Sequence, residues 1–199
     1  YTGLDITPPT VIYTPVTFVC GGQSEYTFGN VSISDGSGVD VASGTKPRLY
    51  YKKSTSANDV ASWKYVEASN SSTPFSFTID FSLIGGISFG ESIQYFIVAQ
   101  DTGPLVGTPN VQINNGTFAL TPESVALTSD AFPIGGTINS FQILPCNGTV
   151  TVGTGGNFST FTRTDGLFNA INTVLLTGNI TVNVISNIKT EDGTVALNQ

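Results

Sequence analysis

Asp35, Asp40 and Asp101 are the residues best placed to hold a metal. Each stands in or beside a turn-rich stretch, where a carboxylate helped by backbone carbonyls meets the hard-oxygen preference of Ca²⁺. The same aspartates serve as turn formers that accept backbone N–H groups, and no EF-hand or similar spacing separates the two roles. Glu67, Glu91 and Glu123 lie in different segments with nothing to bring two of them to one bond, so paired-carboxylate glycoside chemistry is not expected. Tyr50, Trp63 and Tyr65 fall on what should be neighbouring strands, with Lys52 and Lys64 nearby. They could stack a sugar ring, and core packing is the competing role. Gly153-Thr154-Gly155-Gly156 lacks the Lys-Ser/Thr of a phosphate loop and reads as a turn. Histidine is absent, which removes the Ser-His-Asp triad, the Cys-His pair and the imidazole metal ligand. We therefore expect no enzymatic activity and no cofactor, with Ca²⁺ the one ion these residues could take.

Charge narrows the partners. The net charge is −7 with only 7 basic residues, so the counterion release that drives nucleic-acid binding is missing, and no nucleic-acid partner is expected. Lys46, Arg48, Lys52, Lys53 and Lys64 form a local basic strip that reads as a solvated sheet face. Cys20 and Cys146 are the 2 cysteines. Buried free thiols are one possibility. The scarcity of lysine and the abundance of Ser, Thr, Asn and Gly favour an extracellular setting and hence a disulfide. Such a bridge would close a very long loop, for which chain entropy gives about 4–5 kcal/mol. No apolar run approaches the roughly 20 residues that cross a bilayer, so no membrane insertion is expected. The first residue is Tyr1 rather than methionine, and we expect a piece of a longer product.

These side chains need a frame. Of 199 residues 39% are hydrophobic and 11% charged, with 22 glycines, a mixture that suits turn-rich β structure. Short strands are expected over 11–20, 26–34, 47–53, 62–68, 75–82, 92–100 and 111–120, at the spacing of a sandwich. The clearest is Phe75 to Ser82, where Phe75, Phe77, Ile79 and Phe81 alternate with polar residues and give one apolar face. On the sixth strand, Ile93, Tyr95, Ile97 and Ala99 form the inner face. Residues 121–136, with Pro122, Pro133 and Gly135-Gly136, lack alternation and read as a linker or crossing segment. Strands follow over 137–144 and 149–152. The period then switches: Leu167, Phe168, Ile171 and Leu175 recur at helical spacing behind Asp165 as N-cap. Ile180, Val182 and Val184 mark a further strand.

The segments Pro47-Arg-Leu-Tyr-Tyr-Lys and Gly90-Glu-Ser-Ile-Gln-Tyr-Phe-Ile-Val-Ala-Gln-Asp101, with Trp63 between them, resemble fibronectin type III or immunoglobulin-like modules of large secreted Bacteroidetes proteins. Tyr95 occupies the place of a tyrosine corner. Val152-Gly-Thr-Gly-Gly-Asn-Phe-Ser-Thr-Phe followed by Leu167-Phe-Asn-Ala-Ile-Asn resembles the opening of pectin-lyase-like right-handed β-helices. The resemblances imply an all-β chain: an Ig/FnIII-like β-sandwich over 1–120, a linker or crossing segment over 121–148, and over 149–199 the N-terminal cap and first rung of a right-handed β-helix with one short helix.

The function this implies is a non-enzymatic structural or adhesive module of a long bacterial cell-surface protein, extracellular and adhesin-like. Its expected partners are downstream β-helix rungs of the same protein, or a partner protein covering the open edge, with a surface glycan or another cell as a further contact. The alternative is an accessory region of a secreted polysaccharide-active β-helix enzyme whose catalytic residues lie downstream.

Overall fold

The computed structural model describes residues 5–103 and 110–198. Its strands are β1 (Thr10–Ile12), β2 (Phe18–Cys20), β3 (Glu25–Ser34), β4 (Arg48–Lys53), β5 (Lys64–Glu67), β6 (Phe75–Asp80), β7 (Ser92–Gln100), β8 (Val111–Asn114), β9 (Asn139–Leu144), β10 (Gly148–Val152) and β11 (Ile180–Val184), with one short helix, α1 (Leu167–Thr173). The chain is all-β in class. It divides into two compact units, and the second draws on Thr17–Gln23, Gly86–Ser92 and everything from Phe141 onward.

In the first unit, β1, β3 and β6 form an antiparallel sheet in that order. The expected alternation on β6 is present: Phe75, Phe77 and Ile79 are buried and Ser76, Thr78 and Asp80 are half-buried. A second antiparallel set places β4 between β5 and β7, and β8 pairs with β7. The two sets face each other through aromatic contact. The Phe28 and Tyr95 rings lie 4.9 Å apart, and the Tyr51 hydroxyl donates to the Asp80 carbonyl at 2.6 Å. Ring burial of this kind contributes about 1.5–3 kcal/mol per side chain.

Two findings depart from the sequence-based expectation for this unit. The strand expected over 11–20 is interrupted around Pro15 and yields β1 and β2, which belong to different units. Strand β7 is buried on both faces rather than one. Tyr50, Phe96, Val98, Val111 and Ile113 make its second apolar face, and Val125, Leu127, Ala131 and Ile134 cover it. The stretch expected to link or cross thus carries core residues of its own. Side chains clamp its backbone: Tyr50 and Gln100 bond to Val125, and Asn58 holds both polar groups of the Ile134 backbone.

In the second unit, β2 pairs in parallel with β9, and β10 pairs in parallel with β11 in unbroken register from Gly148↔Ile180 to Val152↔Val184. The core gathers Leu144, Val150, Val152, Phe158, Leu167, Ala170, Ile171 and Val174. Cys20 and Cys146 form a disulfide with a sequence separation of 126. Helix α1 is shorter than expected, and its N-cap is Gly166, with no side-chain cap bond. Asp165 instead meets Arg163 at 3.2 Å. Leu175 lies beyond the helix end and is exposed. Among the described residues, no helix is long and apolar enough to cross a membrane.

Candidate functional site

Of the three aspartates singled out for calcium, the first unit brings two together and adds one that sequence reasoning missed. Asp5, Asp35 and Asp101 each place a carboxylate oxygen within 4.8 Å of the other two. Asp5 lies far from the others in sequence, and only the tertiary fold unites them. Asp40 is not part of this group. Its carboxylate accepts the Gln100 side-chain amide at 3.0 Å and the Ala42 N–H at 3.0 Å.

Local donors hold each carboxylate of the cluster. Asp35 accepts the Ser37 N–H and hydroxyl, both at 2.7 Å. Asp5 accepts the same pair of groups from Thr7, which holds its carboxyl below the usual range. Asp101 is buried and accepts the N–H groups of Gly103 and Asn110 together with the Asn110 side-chain amide at 2.7 Å. Three carboxylate oxygens are half or fewer of the six to eight that Ca²⁺ takes. The hydrogen bonds account for the geometry of all three aspartates as turn formers.

The proposed sugar platform is divided by burial. Tyr50 and Trp63 are core residues, 4% and 3% exposed, and offer no face to a ligand. Tyr50 stacks on Phe96 with ring centroids 5.3 Å apart, and the Trp63 indole N–H donates to Asn58 Oδ1 at 2.9 Å. Tyr65 alone is exposed, and the Arg48 guanidinium lies over its ring at 4.1 Å. The basic strip is also partly interior. Arg48 bonds Glu67 at 3.1 Å, and Lys52 donates to the Ser56 carbonyl at 3.0 Å, with burial pushing the Lys52 ammonium down from its ordinary value. Glu91 belongs to the second unit and accepts the Ser88 N–H at 2.7 Å. Glu67 and Glu123 belong to the first.

The most distinctive surface is the β10–β11 pair in the second unit. Val150 and Val152 are 0% exposed, while their in-register partners Val182 and Val184 are 36% and 59% exposed. The two edges differ as sharply. The far edge of β10 is closed at Thr151, whose N–H donates to Asn157 Oδ1 at 2.9 Å and whose carbonyl accepts the Phe158 N–H at 3.1 Å. Bonds from Gly148 N–H to the Asn179 carbonyl and from Ile185 N–H to the Val152 carbonyl fix the phase of the ladder. In a parallel ladder of that phase, the backbone groups of Ile180, Val182 and Val184 point away from β10 to an edge that no described strand occupies.

After β11 the chain follows the earlier turn. Ser186 Oγ accepts the Thr154 N–H at 2.8 Å, Glu191 accepts the N–H groups of Phe161 and Thr162, and Asn172 bonds Ala196 and Asn198. Gly153, at φ +128, permits this close stacking, since a Cβ there would lie 2.5 Å from Ser186 Oγ. Compared with the profiles of protein families, with curated proteins and with solved structures, the chain finds no match.

Proposed function

We propose that this chain is a non-enzymatic structural or adhesive module of a long secreted bacterial cell-surface protein. In this reading the first unit is an Ig/FnIII-like sandwich of the kind its sequence resembles. The second unit is the N-terminal cap and first turns of a right-handed β-helix. The disulfide is compatible with an extracellular location.

The observation that carries the reading is the contrast between Val150 and Val152, buried in the core of the second unit, and their in-register partners Val182 and Val184, which are exposed. A solenoid turn buries its apolar face only against a neighbour, so a terminal turn is capped on one side and incomplete on the other. Further turns of the same polypeptide would cover β11, pairing with its free backbone groups.

Hydrogen exchange tests the reading. On the chain as it stands, amides of Ile180, Val182 and Val184 should exchange fast, while Phe75–Asp80 and Ile93 to Ala99 exchange slowly. Appending further turns should slow the first set and leave the others unchanged. Equal protection of both sets in a monomer would show that the second unit is a complete fold, and the solenoid reading would be abandoned.

A further inference from the structure

The second unit contains a small polar cavity of ≈ 250 Å³ whose uncommitted side-chain groups have a definite chemistry. Three separated segments build it: the loop at Gly90, the outward-facing Gln142 of β9, and the residues from Asn157 to the start of α1. Gly90, at φ +85, lets the loop pass the Asn157 turn, because a Cβ there would lie 2.7 Å from the Asn157 carbonyl. Leu144, Phe158 and Ala170, all buried, supply an apolar floor.

Four polar residues of the lining, Asn157, Asn169, Asp165 and Gln142, keep bonding capacity that the protein does not use. Asn157 uses its side-chain carbonyl on Thr151, which leaves its NH₂ free to donate. Asn169 does the reverse, donating its NH₂ to the Thr164 carbonyl at 2.9 Å and leaving its own carbonyl to accept. Asp165 engages Arg163 through Oδ1, and Oδ2 has no donor among the described residues. The Gln142 side chain has no hydrogen-bond partner among the described residues. Donors and acceptors therefore stand side by side, with one carboxylate and no Lys or Arg in the lining.

We propose that this cavity binds one neutral sugar residue. Hydroxyl groups both donate and accept, so a polyol ring satisfies adjacent Asn157 NH₂, Asn169 carbonyl and Asp165 carboxylate groups together. An anionic ligand would be repelled by Asp165, and an apolar one would leave the polar rim desolvated without partners. The volume lies below the range of about 300–1,000 Å³ usual for drug-sized ligands, which suits a single ring over an oligosaccharide. This assignment does not depend on the solenoid reading.

The test is an NMR titration of the isotope-labelled full chain with glucose, galactose, mannose and N-acetylglucosamine, and with glucuronate as the charged control. At least one neutral sugar should give saturable shifts confined to Gly90, Gln142, Asn157–Phe158 and Asp165–Ala170, and glucuronate should bind more weakly. Gln142→Ala should weaken neutral-sugar binding by about three- to tenfold, the loss of one hydrogen bond. Asp165→Asn should remove the discrimination against glucuronate. Both positions are exposed, so unchanged spectra elsewhere confirm folding. Absence of saturable shifts with every neutral sugar, or shifts centred elsewhere, would overturn the assignment. So would a Gln142→Ala protein that binds as the parent does.

Discussion

The Tyr50 hydroxyl donates to the Val125 carbonyl at 2.7 Å and accepts the Leu127 N–H at 3.1 Å. A strand residue thereby fastens a stretch that has no regular structure of its own, and does so inside the core. Tyr50→Phe should destabilise the protein by about 1–3 kcal/mol, the usual consequence of stranding a buried carbonyl. Urea unfolding of the whole chain reads the change as a lower midpoint at unchanged slope. A midpoint equal to the parent's would mean that packing alone holds residues 125–127.

Alkaline pH should unfold the protein through its tyrosines. Burial raises the phenols of Tyr13, Tyr50, Tyr51 and Tyr95 above their ordinary value of 10.0, with Tyr51 pushed up to about 12. Above pH 10 the unfolded chain loses phenolic protons that the folded chain still holds. The unfolded state then binds fewer protons, and stability falls with rising pH. Stability should be insensitive to these groups below pH 10 and decline from there through about 12. Denaturation midpoints measured across that window, with tyrosinate absorbance as the companion signal, check the sign.

The second unit should depend on its disulfide. Bridging residues 126 apart in sequence removes chain entropy from the unfolded state worth about 4–5 kcal/mol in loop-closure terms. Thiol titration of the denatured, unreduced protein should find no free sulfhydryl. Replacing both cysteines with serine should lower the stability of the second unit by about 2–5 kcal/mol. Two reactive thiols per chain would contradict the bridge.

Valines at matched positions of β10 and β11 should behave oppositely. Val150→Ala removes two methyl groups from a closed core and should cost about 1–3 kcal/mol. Val182→Ala alters a side chain already in contact with solvent and should cost less than about 0.5 kcal/mol. If the solenoid reading is right, Val182→Ala becomes as costly as Val150→Ala once further turns are attached. Thermal melts of the four proteins give the comparison.

What the sequence disclosed follows from periodicity. Phe75, Phe77 and Ile79 announced a half-buried strand because alternation is a local signal, and β6 has that pattern. Leu167 and Ile171 announced a helix for the same reason, although Leu175 suggested a longer one than exists. The covering of β7 by Val125, Leu127, Ala131 and Ile134 left no periodic trace, since these residues lie on a path without a strand or an α-helix. What fixes them is a set of side-chain bonds from Asn58, Tyr50 and Gln100, residues remote in sequence. Asp35 and Asp101 were visible as turn aspartates, but the arrival of Asp5 beside them is a tertiary event with no local signature. The sugar-stacking expectation for Tyr50 and Trp63 did not anticipate that second layer, which turns an outward face into an interior one.

The second unit collects three stretches of chain, Thr17–Gln23, Gly86–Ser92 and the residues from Phe141 onward. During synthesis, Phe18–Cys20 therefore emerges long before its parallel partner Gln142–Leu144 exists. Cys20 must likewise wait with a free thiol until Cys146 appears. The order of synthesis thus imposes a delay that the finished molecule does not display, and pairing across so long an interval is intrinsically slow. A cell making this protein has an early strand and an early thiol to shield for most of the time the polypeptide takes to arrive.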